Sequence, residues 1–478
     1  MPTPPRPPET PPQPALALPD GTSEPAGPGL QASIRDGMWW AVMVGAGESY
    51  LSAFGVFLQA TTLQIGVLAT LPPLIGALSQ GPGVWLMERI RSRRTLVAAG
   101  AAAQAIVWVP LALLPFLGVP GPRLVGLLIA LAIVYHVMGN HVAPAWNSLI
   151  GDMVPARARG RFFGGRNYAI GFCNFAAVLA AGGLLDLAAS FGALRAGYLA
   201  IFAIAFLARC FSVHWLQQYD DPPYECAPKE RLGFLEFLRS GPHANFARFV
   251  FFAAALNFGV SLLGPYLTPY MLRDLKLSYL EYTVINAAMT LSQFLTMRYW
   301  GGFADRFGFR NIMRLCGWGI CLIPLLWLFS PNWVVLALVQ TWAGFCWAGF
   351  NLACASFVFD AVPGPLRGRC AAWQAIFNAA SVFAGSLAGG LLIDRVPSVL
   401  TLGPWSWDFR TSLVLLFFAS AAMRVVAMTV FLPLFKEVRA VEPIPHQGLI
   451  FRIARIRPLT GAAFSVYSDP PERSRPGE

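Results

Sequence analysis

Charge is what this sequence has least of. Of its 478 residues 12% are Asp, Glu, Lys or Arg, and the only lysines are Lys229, Lys276 and Lys436; a soluble globular chain carries about twice that share of charge. Too few charged side chains exist to cover the surface of a water-soluble enzyme of this length, which excludes that class. None of the lysines follows glycine, so the Gly-Lys-Ser/Thr step of a phosphate-binding loop is missing and ATP-driven pumping by this chain is disfavoured. HExxH and GxSxG are missing too, and the polar groups are dispersed amides rather than a nucleophile with a base, so no enzyme is expected. The cysteines, Cys173, Cys210, Cys226, Cys316, Cys321, Cys346, Cys354 and Cys370, lie mostly in apolar segments without CxxC spacing. They predict neither a disulfide framework nor a metal site, and no cofactor is expected. The net charge of +11 falls in short clusters between apolar segments rather than on a basic face interleaved with aromatics, so no nucleic-acid partner is expected.

What is present is apolar sequence: 56% of the residues are hydrophobic and the mean hydropathy is +0.55. Stretches long enough to cross a bilayer fall at 38–60, 64–87, 95–118, 124–153, 167–190 and 194–217, and again at 245–271, 281–304, 311–330, 332–361, 371–394 and 409–434. The expected organisation is a Pro-rich leader over 1–34 holding eleven prolines, a first six-helix bundle over 35–217, a polar linker over 218–244, a second bundle over 245–434 and a tail over 435–478. The leader lacks an apolar signal-peptide core, and leader and tail are expected to be unstructured. Cytoplasmic loops retain Lys and Arg. One set of loops carries 16 of them, including Arg89, Arg159, Arg306 and Arg367, and the opposite set carries 6. Both termini and the linker are thereby expected on the cytoplasmic side. A high ratio of Arg to Lys, with no organelle signal, points to a bacterial inner membrane.

The two halves repeat. Asp152-Met-Val-Pro155 followed by Arg159-Gly160-Arg161 returns as Asp360-Ala-Val-Pro363 followed by Arg367-Gly368-Arg369, and Gly182-Gly183-Leu184-Leu185 returns as Gly389-Gly390-Leu391-Leu392. Each last span buries one arginine, Arg209 and Arg424. A direct repeat of six spans is a transporter signature. The segment Gly301-Gly-Phe-Ala-Asp305-Arg306-Phe-Gly308-Phe-Arg310 is similar to the GxLaDRxGRR loop of the major facilitator superfamily, and over 38–434 the chain resembles that family. Its first-half counterpart, Glu88-Arg89-Ile-Arg91-Ser-Arg93, keeps the acid and the arginines but has Arg91 where the family has glycine.

The resemblance implies an all-α membrane protein of twelve helices in two bundles. It also implies secondary active transport of a small organic solute by alternating access, with spans 1, 4, 7 and 10 lining the cavity. The alternative is a protein of the same fold that senses or scrambles lipid. A monomer surrounded by lipid is expected.

Ionisable groups inside the membrane are costly and are functional candidates by default. Glu48 is the clearest, expected mid-helix on one face with Gly45, Ser52, Gly55 and Gln59. A carboxyl there suits a group that loads and releases a proton; the other reading is a structural glutamate bonded to a neighbouring span. His136 shares a stripe with Asn140 and Asn147 on span 4, and either titrates, binds solute or packs as a hydrogen-bonded histidine. Asn174, Asn257, Gln293, Gln340, Trp347, Asn351, Gln374 and Asn378 extend the candidate cavity lining to spans 5, 7, 8, 10 and 11. Amides and tryptophans with few fixed charges suit a neutral or weakly charged polar solute. At the cation-rich ends, the acids Glu88, Asp152, Asp305 and Asp360 are expected to latch onto helix N-termini and onto Arg89, Arg159, Arg306, Arg310 and Arg367. Acid and arginine recur together in both halves, whereas orientation alone needs only cations.

Overall fold

The computed structural model describes residues 27–90, 92–118, 120–154, 159–222, 244–362, 367–395, 399–402, 405–408 and 413–438. The leader over 1–26, most of the linker and the tail from 439 lie outside the described residues.

The first bundle comprises six membrane helices. α1 runs Pro28–Ala46, passes through a 3-10 turn at Glu48–Tyr50 and resumes as Leu51–Phe57; α2 runs Thr62–Leu78 and Gln80–Arg89; α3 is Arg93–Leu113. α4 runs Gly121–Asn140 and Ala143–Met153, α5 is Arg159–Ser190 and α6 is Leu194–Leu216. In the second bundle α7 begins as Ala244–Ser261 and reaches Asp274 through short turns; α8 is Tyr279–Phe307, α9 Phe309–Leu326, α10 Trp333–Ala361 and α11 Arg367–Arg395. α12 begins as Leu413–Val426 and ends in short turns at Leu434. Ten of these spans are apolar enough throughout to cross a membrane by composition alone. The other two are α1, broken near its middle, and α8, which carries Glu281, Asn286, Gln293 and Arg298.

Local chemistry sets several of the ends. Thr61 and Gln64 form a reciprocal capping box at the start of α2, and the Asn332 side chain accepts from Val334 N at 2.8 Å to open α10. Between α8 and α9 the chain turns at Gly308 with φ 87°, a left-handed value that glycine adopts without penalty. The first-half counterpart enters α3 differently, through extended Ser92, whose Oγ accepts from Thr95 N at 3.2 Å. Loss of the motif's glycine from the first half is thus matched by a different helix entry.

Two details depart from the sequence expectation. α1 starts at Pro28, well before the expected start near Met38, because Leu30 and Ala32 bury against Met87, Leu96, Val97 and Tyr219 and so join the bundle although this stretch lacks a long apolar run. An antiparallel hairpin, β1 (Val399–Leu402) with β2 (Trp405–Asp408), joins α11 to α12, where β-branched and aromatic residues flank Gly403-Pro404.

The sequence repeat is also a packing repeat. In the first bundle α1 packs on α5 and α6, α2 on α4, and α3 on α4 and α6; in the second α7 packs on α11 and α12, α8 on α10, and α9 on α10 and α12. The bundles meet mainly through α2 with α11 and α5 with α8, the two exchanged copies of one contact.

Hydrogen bonds between the bundles gather at the cation-poor end. Tyr50 Oη and Thr283 Oγ1 are 2.8 Å apart, Arg273 donates to Ala60 O at 2.7 Å, Tyr198 Oη donates to Tyr279 Oη at 3.2 Å and Leu280 N donates to Asp186 at 3.3 Å. Close approach there depends on small residues: Gly182 lies against Thr283, and Gly66 and Gly390 lie against Tyr266. The main apolar core runs through both bundles, whereas the core at the cation-rich end of the first bundle, around Leu96, Leu149 and Tyr219, contains first-bundle residues only. Large apolar side chains such as Ile106, Leu207, Leu322 and Phe418 are exposed on α3, α6, α9 and α12, as a lipid-facing surface requires.

Candidate functional site

A cavity of ≈ 600 Å³ lies inside the first bundle. Its wall is formed by α1 (Asp36, Trp40, Glu48), α2 (Pro73), α3 (Val97, Gln104), α4 (Tyr135 to Trp146), α5 (Arg166) and α6 (Arg209, Leu216).

Glu48 reaches it because α1 does not continue as a regular helix. The α-helix stops at Ala46, and at Gly47 the Trp108 ring packs so close that a Cβ would lie 2.5 Å from its nearest carbon. The next turn, Glu48–Tyr50, is 3-10. The expected face of Gly45, Glu48, Ser52, Gly55 and Gln59 is therefore broken: Gly45 packs on α5, Gly55 packs on Ile65 and Leu68, and Gln59 lies beyond the helix with φ 65°. Breaking the helix turns Glu48 toward α4, where Tyr135 Oη donates to Glu48 Oε2 at 2.7 Å. This bond orients the Glu48 carboxyl group. Tyr135 is buried, edge-on to Trp108, and its neighbour His136 is the next cavity residue.

Toward the cation-rich end the same cavity meets a buried polar cluster. Asp36 accepts from Ser212 Oγ at 2.6 Å and Tyr219 Oη at 2.9 Å, and Arg166 stands 4.0 Å away. Arg209 donates to Ser212 Oγ at 2.8 Å, and the Arg166 guanidinium lies 4.8 Å over Trp146. Burial raises the phenol pKa of Tyr219, just beyond α6, and the neighbouring Asp36 carboxylate adds to the effect, so the phenol keeps its proton as donor. Every acid here already has a donor. Among the described residues, two buried polar atoms on residues of the wall lack a partner, Gln104 Oε1 and Arg209 Nε.

Of the residues expected to line a cavity, the structure brings Glu48, His136 and Asn140 to this one. Asn140 donates to His136 O at 2.9 Å; Asn147 lies beyond the break in α4, exposed. Asn174 is half-buried on α5, its Oδ1 without a hydrogen-bond partner. In the second bundle Asn257 Nδ2 donates to Asn378 Oδ1 at 3.4 Å, linking α7 to α11. Gln340 is buried, Gln293, Trp347 and Gln374 are half-buried and Asn351 is exposed.

Sequence reasoning missed Asp36, Tyr135, Arg166 and Tyr219. Asp36 fell between the expected leader and the first apolar span, and Arg166 lies just before the span expected from 167; the usable signal was an acid two residues before an apolar run, in a chain with arginines buried elsewhere. Gln104 and Arg209, on helices outside the set expected to line the cavity, both reach the cavity wall.

At the cation-rich end Asp152 pairs with Arg93, which was not among its expected partners: Arg93 Nη1 is 2.6 Å from Asp152 Oδ2 and 2.7 Å from Ser148 Oγ, and Nη2 donates to Pro222 O at 2.9 Å. Arg93 wins because it opens α3, directly beside the last turn of α4. Arg89 instead stacks on Trp85 at 5.5 Å. Arg310, the second residue of α9, has its N donating to Glu437 at 2.8 Å, and the N of Arg94, the second residue of α3, donates to Asp221 at 3.4 Å. Both acids follow the last helix of their own bundle, so each half carries the same cap. Asp360 is half-buried and engaged at the end of α10. The side chains of Glu88, Arg159, Asp305, Arg306 and Arg367 lie outside the described residues.

Twelve helices among the described residues, in two repeated bundles with a cavity inside the first and an apolar outer surface, are those of a multi-pass membrane transporter rather than an enzyme. The chain belongs to the Major Facilitator Superfamily, whose family model matches it twice, over residues 32–261 and 249–468. No curated protein matches it. The fold is similar to that of a D-xylose-proton symporter (TM-score 0.64, 15% identity, covering 86% of this chain and 97% of that one). It is likewise similar to the nucleoside transporter NupG (TM-score 0.60, 15% identity, 86% and 99% covered) and to a bacterial homologue of the iron transporter ferroportin in an inward-facing state (TM-score 0.61, 15% identity, 85% and 98% covered).

Proposed function

We propose that the protein is a secondary active transporter that moves a small polar organic solute by alternating access, coupled to protons through Glu48. The observation that carries this reading is the Glu48 to Tyr135 hydrogen bond at the break in α1, inside a cavity that also holds His136 and Asn140. Tyr135 and His136 are the groups placed to steady or relay the proton. The acids of the wall are compensated from within, which favours a solute without net charge, hydrogen-bonded by groups such as Gln104 and Arg209 and stacked on Trp40 or Trp146. Nucleosides and pentoses, the solutes named for two proteins of similar fold, are the first to test.

The cation-rich ends face the cytoplasm by the distribution of Lys and Arg, with both termini on that side of a bacterial inner membrane. The contacts between Tyr50, Thr283 and Tyr266 and their glycine partners then close the outer end, and the conformation is inward-facing. Asp152 with Arg93 holds α3 to α4 at the inner end, and the acids and arginines of the two repeated loops form the inner latch when the bundles rock. The transporting unit is one chain.

The test is transport by purified protein in proteoliposomes carrying a lumenal pH dye. Addition of a transported nucleoside or pentose should move protons in the wild type, whereas Glu48→Gln should bind the solute yet move no protons. Unchanged proton movement in Glu48→Gln would remove Glu48 from the coupling.

A further inference from the structure

A second recess lies on the outer surface of the first bundle, separate from the cavity. It holds ≈ 240 Å³ and is lined by Arg35, Met38, Trp39 and Val42 of α1, Cys173 of α5 and Trp215 of α6. Arg35 is exposed at its mouth, with its guanidinium 4.5 Å above the Trp215 ring. Among the described residues no carboxylate bonds to Arg35: its neighbour Asp36 points inward to Ser212 and Tyr219. Trp39, 37% exposed, stacks on Phe211, 50% exposed, and extends the apolar wall.

Depth decides what such a recess fits. Trp215 lies in the last turn of α6 and Arg35 in the early turns of α1, both near the cation-rich end, where tryptophans mark a membrane interface. From Arg35 to Val42 the α1 axis advances about 10 Å toward the bilayer centre at about 1.5 Å per residue. Every lining side chain below the mouth is apolar or a thiol. One cation at headgroup depth above a narrow apolar slot matches a phosphate ester with a hydrocarbon chain beneath it, and the delocalised guanidinium, already stacked on an indole, keeps donors for phosphate oxygens. A free phosphate would use the guanidinium and leave the slot empty.

We propose that this recess is a binding site for one anionic phospholipid, its headgroup phosphate on Arg35 and an acyl chain along Met38, Trp39, Val42 and Cys173. The lipid bridges α1, α5 and α6 from outside, behind the Asp36 cluster that joins the same helices inside.

The test uses the full chain, stripped of lipid in a neutral detergent and titrated with phosphatidylglycerol, phosphatidylcholine or glycerol 3-phosphate while thermal unfolding is followed. Phosphatidylglycerol should raise the midpoint and the other two should not. Arg35→Gln, exposed and outside the core, should bind phosphatidylglycerol about tenfold more weakly, the loss of one charge-assisted contact. In the wild type, modification of Cys173 by a lipid-soluble maleimide, followed on its own peptide by mass spectrometry, should slow as phosphatidylglycerol is added. An unchanged affinity in Arg35→Gln, an equal response to phosphatidylcholine or to glycerol 3-phosphate, or Cys173 labelling indifferent to the lipid would each overturn the assignment.

Discussion

Gly182 offers the sharpest test of whether the packed end of the molecule is a gate. A Cβ added there would stand 2.6 Å from Thr283 Cβ and 2.7 Å from Thr283 Cγ2, inside any real contact distance. Thr283 has little room to yield. It is buried, its Oγ1 lies 2.7 Å from Tyr279 O and 2.8 Å from Tyr50 Oη, and Tyr50 Oη lies 2.7 Å from Val178 O, so the two hydroxyls share their two protons among three contacts. Gly182→Ala therefore overpacks the joint between α5 and α8, which costs about 1–3 kcal/mol. If the bundles part at this end during transport, only the closed arrangement bears that cost, and the equilibrium moves toward the open one by about 5- to 150-fold. A cysteine at Leu63, which lies beside Gly390 on the same closed surface, provides the readout. Its reaction with a membrane-impermeant maleimide should accelerate by that factor in Gly182→Ala. A lowered thermal midpoint with no change in labelling would mean that the bundles form one fixed body, and the reasoning would fail.

Three further outcomes follow from single contacts. Tyr135→Phe removes the donor to Glu48 and should cost about 1–3 kcal/mol, the penalty of leaving a buried partner unsatisfied, seen as a lower thermal midpoint in neutral detergent; an unchanged midpoint would mean that Glu48 does not depend on the phenol. Asp221→Ala and Glu437→Ala should each cost about 1 kcal/mol as helix caps, and the double variant should show the sum because the sites lie in different bundles; a much larger combined loss would tie the two caps together. Gly308→Ala forces a left-handed residue to carry a Cβ and should cost about 1–2 kcal/mol, whereas serine or threonine at Arg91 should be tolerated because α3 is entered through Ser92.

The limits of reading this chain as a string are visible at α1. A hydropathy scan sees an apolar helix only from Met38 onward, with a leader over 1–34 before it. The stretch from Pro28 to Gly37 is helical because Leu30 and Ala32 fill a core supplied by α2, α3 and the segment after α6, and Asp36 is tolerated because Ser212, Tyr219 and Arg166 meet it there. None of those partners is near in sequence. The same holds for Arg93 against Asp152: the motif named the acid, but its arginine is chosen by which helix begins beside the end of α4.

Composition and periodicity were enough to determine a membrane protein of twelve helices in two repeated halves, with its cations gathered on one face, because bilayer thickness and the cost of charge in hydrocarbon act on each segment separately. The repeat was legible because matched loops carry matched acids and arginines. Only the tertiary structure decided that Glu48 lies at a helix break facing Tyr135, that the cavity lies within the first bundle with Gln104 and Arg209 in its wall, and that the hydrogen bonds between the bundles gather at the cation-poor end. Those outcomes depend on how side chains from different helices compete for the same space and the same hydrogen-bond partners, a competition that begins only once the helices have packed.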